Sequence, residues 1–321
     1  MLRIEAHVTV VIPCYNAERW VGRAIRSALD QEGVAVEVIV VDDGSTDASL
    51  DVIRSFGDRI RFETGPNCGA CAARNRGLEM ATAPYVMFLD ADDYLEGAFL
   101  RAGVARLHET GADLGFGPMA VEHNGHRRYR TPPMVDTPSL MVEALVWRGG
   151  LVLPCATLWR RAFVQDIGAW REGLRRYQDF ELVFRAIAAH PPFTFWSDGV
   201  GVYFQHEGPR ISRLYDPAAL SEVFDVIRLT KVYWRTAGVS AQAADFYARQ
   251  LAYSLYRQAA RTENRQGYEL AFSEWRRLGG RWHGGSFTHF ASATLLGLWT
   301  KEKLALAIRR LPARLFARRR A

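Results

Sequence analysis

Two runs of carboxylates stand directly after apolar stretches in the first hundred residues. They are Asp42 and Asp43 after residues 36–41, and Asp90, Asp92 and Asp93 after residues 85–89. Ligands of parallel sheets bind at the carboxyl ends of the strands, so five carboxylates would face one crevice. They would repel one another unless a cation lay between them, and closely spaced oxygen ligands suit Mg²⁺ or Mn²⁺. The pattern predicts a divalent ion that holds a diphosphate.

An acidic residue after a strand can instead cap the helix that follows. That interpretation suits Asp47, but one cap needs one side chain and does not account for three carboxylates in residues 90–93. A zinc site is disfavoured, because Cys68 and Cys71 have the required gap but no second pair completes four ligands. We expect these cysteines to be core or loop residues.

The elements that must position these carboxylates alternate between strand and helix patterns. Strands are predicted at 8–12, 36–41, 60–63 and 85–89, and helices at 20–29, after Ser45 or Thr46, and at 69–80. This alternation is typical of an α/β fold with a mainly parallel sheet. Further on, we predict a helix at 98–107, an extended segment at 114–122, a polar loop at 123–138, a helix at 140–147 and an extended segment at 151–159. From residue 217 onward the sequence is helix-compatible throughout.

Positive charge is concentrated at the end of the chain. The formal charge is +6, but residues 301–321 contain eight Lys and Arg and one Glu, so the other residues sum to about −1. This charge distribution excludes nucleic-acid binding by the part of the chain before the tail. The tail interleaves arginines with Leu304, Ile308, Leu311 and Phe316, which predicts contact with an anionic membrane surface. No secretory signal or membrane span is recognised, so we expect a cytoplasmic protein, peripheral at the inner membrane face.

Four segments in order resemble the family 2 glycosyltransferases. They are Val10 to Asn16, Val40 to Asp47, Ala73 to Gly77 and Phe88 to Asp93. The resemblance implies a GT-A fold with flanking helices on a twisted sheet, followed here by a helical C-terminal extension. It also implies an inverting transfer of sugar from a nucleoside-diphosphate sugar to a hydroxyl of a glycan or lipid-linked acceptor, assisted by Mn²⁺ or Mg²⁺.

The same resemblance implies roles for residues of the donor site. Pro13 and Tyr15 would flank the nucleotide base, and Asp43 would accept a hydrogen bond from a uracil ring nitrogen, which favours UDP. Arg74 would lie near the diphosphate, where a fixed cation suits phosphate oxygens. Tyr15 as a core residue and Arg74 as a surface residue are the alternatives.

The Asp-X-Asp motif and two later segments complete the predicted site. Asp90 would bind the donor, Asp92 the metal, and His206 would add an imidazole unless it is simply structural. An inverting transfer also needs a general base, and the segment around Gln178-Asp179 resembles the one whose Asp is that base. This sequence has Gln178 where the family has Glu. The alternative is that Asp179 only interacts with a helix N-terminus.

The predicted domains are a catalytic domain at 1–215 and a helical region with a basic amphipathic tail at 216–321. Residues 1–95 would hold the nucleotide sugar and residues 96–215 the acceptor, with Trp147, Trp159 and Trp170 as candidates for stacking on sugar rings. Two other classes of protein could share parts of this pattern. A dinucleotide-dependent oxidoreductase would need a glycine-rich turn that residues 13–17 lack. A non-catalytic sugar- or lipid-binding relative would be expected to lose acidic residues that are present here.

Overall fold

A computed structural model describes residues 7–132, 134–148, 153–207, 216–262 and 264–280. The basic tail and the end of the loop that follows His206 lie outside the described residues. The chain divides into two compact units, with a boundary at residue 208 and residues 236–238 grouped with the first unit.

The first unit contains eleven strands and seven helices among its described residues. The strands are β1 (Val8–Cys14), β2 (Val36–Asp42), β3 (Arg61–Thr64), β4 (Tyr85–Phe88), β5 (Tyr94–Glu96), β6 (Leu114–Phe116), β7 (Met119–His123), β8 (His126–Arg130), β9 (Thr157–Arg160), β10 (Phe193–Phe195) and β11 (Val200–Gln205). The helices are α1 (Val21–Leu29), α2 (Ser49–Arg54), α3 (Ala70–Met80), α4 (Phe99–Thr110), α5 (Pro138–Arg148), α6 (Arg161–Asp166) and α7 (Gln178–Ala188).

The larger sheet confirms the predicted α/β class. Its strand order is β10-β6-β9-β4-β1-β2-β3, and β3, β2, β1 and β4 pair in parallel, whereas β9 runs antiparallel to both its neighbours. Strand β1 is buried along its whole length, which explains why its sequence is apolar except at Thr9. The chain moves outward from β1 to β3 and then returns to β4 on the other side of β1. That reversal opens a crevice at the carboxyl ends of β1 and β4.

A second sheet, in the order β5-β11-β7-β8, was not predicted. The expected single extended segment at 114–122 is wrong, because Gly117 and Pro118 separate β6 in one sheet from β7 in the other. The expected polar loop at 123–138 is also wrong, because it contains β8. Asn124 and Gly125, both with positive φ, form the turn between β7 and β8. An Asn-Gly pair is a strong hairpin signal, so this turn was readable from the sequence.

Two local predictions need smaller corrections. Neither Ser45 nor Thr46 begins the second helix, because α2 starts at Ser49, whose backbone N–H donates to the Asp47 carboxylate at 2.9 Å. Asp47 therefore has the capping function proposed for it. Within the extended segment expected at 151–159, residues 157–159 belong to a strand, whereas Pro154–Ala156 form a short 3₁₀ turn and residues 151–152 lie outside the described residues.

The second unit consists, in its described part, of α8 (Pro217–Thr236), α9 (Ala241–Ala259) and α10 (Arg265–Arg277). The side chains of Ser240 and Asn264 cap α9 and α10. Tyr256 and Trp275 stack with their ring centroids 5.4 Å apart, which joins α9 to α10. None of the helices in the described ranges is both long and apolar enough to cross a membrane.

The close approach of α3 to β1 depends on Gly77. A Cβ atom at this position would lie 2.2 Å from Cγ1 of Val11, a fully buried β-branched residue with no room to move aside. The helix that carries part of the candidate site is therefore seated directly on the central strand.

We expect Gly77→Ala to destabilise the protein by about 1–3 kcal/mol, because overpacking outweighs the gain of about 1 kcal/mol in helix propensity. Urea unfolding measures the change. Gly65→Ala is the matched control, since a Cβ there meets only Nη1 of Arg76 at 3.7 Å. Equal stability of the two variants would contradict the packing argument.

Candidate active site

The loops that follow β1 and β2 form one hydrogen-bonded cradle. Asn16 has a positive φ of 49°, and its side-chain oxygen accepts from the backbone N–H of Thr46 at 2.8 Å. Its own N–H donates to Oγ of Ser45 at 3.0 Å. Pro13 is buried at the end of β1, whereas Tyr15 is 52% exposed. The alternative that Tyr15 packs in the core is therefore wrong, and its ring is available to a ligand at this edge.

Asp43 connects the end of β2 to the start of α3. Its two carboxylate oxygens accept from the backbone N–H groups of Cys68 at 2.7 Å and Gly69 at 2.9 Å. Gly69 has a φ of +92° and directly precedes the helix. This structural role of Asp43 was not predicted from the sequence. Each oxygen keeps a further lone pair, so the predicted contact with a nucleotide base stays a prediction.

Arg74, one turn into α3, is almost completely buried, which excludes the alternative of a surface arginine. Its side chain is 6% exposed, and Nη2 donates to Oδ1 of Asp90 at 2.5 Å while Nη1 donates to Oε1 of Gln178 at 2.8 Å. The guanidinium carbon lies 4.4 Å from the ring centroid of Trp170. A planar cation held at two edges and one face has a fixed orientation.

Trp170 belongs to the wall of the site and not to its open surface. Its side chain is 3% exposed and packs edge-on against Phe88. Asn75 fixes the Trp170 backbone by accepting from its N–H and donating to its carbonyl, both at 2.9 Å. Trp159 is also buried, so the expectation that these two tryptophans stack on acceptor sugars is wrong. The side chain of Trp147 lies outside the described residues.

The three carboxylates after β4 occupy different environments. Asp90 accepts a hydrogen bond from Arg74. Oδ2 of Asp92 is 3.2 Å from Nε2 of His206, and the side chain of Asp93 is fully buried. Oδ1 of Asp93 accepts from the backbone N–H of Phe204 at 2.9 Å. Burial first, and the nearby Asp90 second, raise the pKa of Asp92 above its ordinary value. The crevice therefore concentrates negative charge, as the sequence predicted.

His206 is positioned by aromatic stacking. Its ring lies 5.4 Å from the Trp20 ring with an interplanar angle of 24°. Arg23, one helical turn after Trp20, donates to the backbone carbonyl of Asp92 at 2.7 Å and stacks on Phe204 at 4.1 Å. Trp20 and Arg23 were not among the predicted site residues, although Trp20 immediately precedes α1 and a spacing of three residues places the two side chains on one face of the first turn.

The residues present fit a divalent cation in part. Asp92 and His206 offer an oxygen and a nitrogen ligand in direct contact, and a cation would stabilise the ionised form of Asp92, which burial first and repulsion from Asp90 second disfavour. Over the described residues, no group of three or more His, Cys, Asp or Glu side chains forms a complete metal cage. Such a pair suits an ion that takes its other ligands from phosphate oxygens and water, as Mg²⁺ commonly does.

Asp179 is the second residue of α7 and is partly buried. Burial raises its pKa to about 6, with an added contribution from Asp90, while the backbone N–H of Phe180 and the charge of Arg74 act in the opposite direction. A carboxylate with this pKa is ionised at neutral pH and is a competent general base. The charges of Asp90 and Arg74 thus both influence the protonation of Asp179.

Comparison with known proteins gives a consistent result. The sequence model of the family described as Glycosyl transferase family 2 matches residues 9–166. Glycosyltransferase GlyA of Streptococcus pneumoniae is 34% identical over 117 residues, covering 36% of this chain and 17% of the relative. The succinoglycan biosynthesis protein ExoU of Rhizobium meliloti is 33% identical over 200 residues, covering 56% and 57% respectively. The chain spans less than two thirds of either relative.

Solved structures share the fold at low sequence identity. TarS of S. aureus, residues 1–349 in complex with UDP-GlcNAc, superposes with a TM-score of 0.68 at 18% identity, covering 94% of this chain and 92% of that 1–349 chain. The mannosyltransferase PcManGT of Pyrobaculum calidifontis, in complex with GDP-Man and Mn²⁺, has a TM-score of 0.53 at 15% identity, covering 99% and 89%. These likenesses establish the GT-A architecture.

Proposed function

Because the chain belongs to family 2 of the glycosyltransferases, we propose that it transfers a sugar from a nucleoside-diphosphate sugar to an acceptor hydroxyl with inversion at the anomeric carbon. The observation that carries this proposal is the convergence of three features on the crevice beside β1 and β4. They are the buried Arg74–Asp90 pair, the Asp92–His206 pair, and a carboxylate at Asp179 whose pKa is about 6.

The donor half of the site would hold the nucleotide and its diphosphate. Tyr15, exposed beside the buried Pro13, would contact the base, and Asp43 would accept from a ring nitrogen. Arg74 would supply a fixed positive charge near the diphosphate, oriented by Asp90. When bound at Asp92 and His206, Mn²⁺ or Mg²⁺ would neutralise charge on the diphosphate oxygens. The TarS structure holds UDP-GlcNAc, and together with the predicted role of Asp43 this favours a uridine nucleotide here.

On the acceptor side, Asp179 would take the proton from the attacking hydroxyl. As that proton moves to the carboxylate, the acceptor oxygen bonds to the anomeric carbon and the bond to the diphosphate oxygen breaks on the opposite face. General base catalysis of this kind contributes typically about 10²- to 10⁴-fold. Since ExoU is named for succinoglycan biosynthesis, we propose a glycan or lipid-linked acceptor.

Asp179→Asn should lower kcat by about 10²- to 10⁴-fold while leaving the UDP dissociation constant within about threefold, because the base acts in the chemical step. Steady-state kinetics and calorimetry test this, with the exposed Asp58→Asn as control. The wild-type kcat/KM should fall about tenfold per pH unit below pH 6, because protonated Asp179 cannot accept a proton. Near wild-type turnover of Asp179→Asn would exclude the base role.

UDP should bind more tightly in the presence of Mn²⁺, and Asp92→Ala should remove that metal dependence. His206→Gln should weaken it by about 10-fold, since one ligand of two is lost. Titration calorimetry with UDP, dTDP and GDP, with and without Mn²⁺, measures these effects. If no nucleoside diphosphate binds to the wild-type protein, the alternative of a non-catalytic relative replaces the proposed activity.

We also propose that the basic tail binds an anionic membrane surface, on the basis of its charge and its apolar residues. Each Lys or Arg near such a surface contributes about 1 kcal/mol, so replacing Arg318, Arg319 and Arg320 by Gln should reduce partitioning on the order of 100-fold at low salt. Cosedimentation with phosphatidylserine vesicles measures this, with uncharged vesicles as control. Equal partitioning of the variant and the wild type would refute the tail's role.

A further inference from the structure

The side chain of Gln178 joins the buried guanidinium of Arg74 to the loop before α7. Its Oε1 accepts from Nη1 of Arg74 at 2.8 Å, and its Nε2 donates to the carbonyl of Leu174 at 2.5 Å. Arginine can only donate and a carbonyl can only accept, so these partners fix the orientation of the amide. A carboxylate in this place would satisfy Arg74 but would oppose the Leu174 carbonyl.

The neutrality of Gln178 also affects the charge balance of the crevice. Of the two side chains that accept from Arg74, Asp90 is charged and Gln178 is not. Two charged groups on packed elements act on Asp179, and the Cys71 thiol is a third ionisable group near it. Asp90 after β4 disfavours its ionised form, Arg74 on α3 favours it, and Cys71 on α3 stays neutral because burial raises the pKa of its thiol to about 12. A second anion on Arg74 would offset the charge that favours ionised Asp179.

We propose that Gln178 is a positioning residue that orients Arg74 and the start of α7, and that its lack of charge leaves the positive field of Arg74 available to Asp179 and to the donor diphosphate. This inference rests on the proposed function, because it gives Asp179 the role of the base. It concerns the residue at which this chain departs from the Glu-Asp pair of the resemblance described above.

The test compares two variants. Gln178→Glu adds a negative charge, whereas Gln178→Met removes both hydrogen bonds and adds no charge. For Gln178→Glu we expect the acidic limb of the kcat/KM profile to rise by about one pH unit, because a carboxylate is placed next to Asp179. We also expect UDP to bind about 3- to 10-fold more weakly. For Gln178→Met we expect kcat to fall about 10-fold with the limb unmoved.

The inference is overturned if the limb stays in place in Gln178→Glu, or if it moves equally in both variants, which would indicate a displaced loop and not a charge effect. Gln178→Asp carries the same expectation if Gln178→Glu does not fold, because its shorter side chain keeps the charge away from the Leu174 carbonyl. Asp179→Asn separates the two proposals. An active Asp179→Asn protein excludes Asp179 as the base of the proposed mechanism, whereas an inactive one with an unmoved Gln178→Glu limb defeats this inference alone.

Discussion

A buried guanidinium among carboxylates is the interaction on which the rest of the site depends. Arg74 is almost fully removed from water, and a charge in that position is tolerated only when it is paired and hydrogen-bonded. Asp90 supplies the pairing, Gln178 the second bond and Trp170 the face contact. Each of these partners comes from a different loop or helix, so one side chain sets the relative positions of α3, the residues after β4 and the start of α7.

The parallel sheet explains why these groups can meet at all. Strands β1, β2 and β4 end at the same edge, and the reversal of strand order at β1 leaves a crevice that the following loops surround. Backbone amides then hold the acidic residues in place, as the N–H groups of Cys68 and Gly69 do for Asp43. Gly77 lets α3 pack closely against Val11, and Arg74 on the same helix contacts the carboxylate of Asp90. Packing and electrostatics therefore constrain the same helix.

The sequence predicted those parts of the fold and the site that depend on local patterns. Continuous burial of β1 and β4 gives strands that are almost entirely apolar, so both strands and the acidic residues after β4 could be predicted from the sequence. Contacts between residues that are distant in the sequence could not be predicted from such patterns. The stacking of His206 on Trp20, and the bridge from Gln178 to Arg74 across 104 positions, depend on how the loops pack. The second sheet was missed in part for a similar reason, since its short strands β5 and β7 are joined by β11, which is distant from both in the sequence.

The same crevice also retains polar atoms that no described group satisfies. Nε of Arg23, Nε of Arg74, Oδ2 of Asp93 and Nε1 of Trp170 are buried without a hydrogen-bond partner. Each unsatisfied buried group typically costs about 1–3 kcal/mol, and although such groups also occur elsewhere, as at Trp196, four of them lie around this one cleft. The surrounding packing must hold these groups in place, and it comes from β1, β4 and the helices against them. Concentrated local cost of this kind is expected where a rigid, pre-organised site is built for a charged ligand.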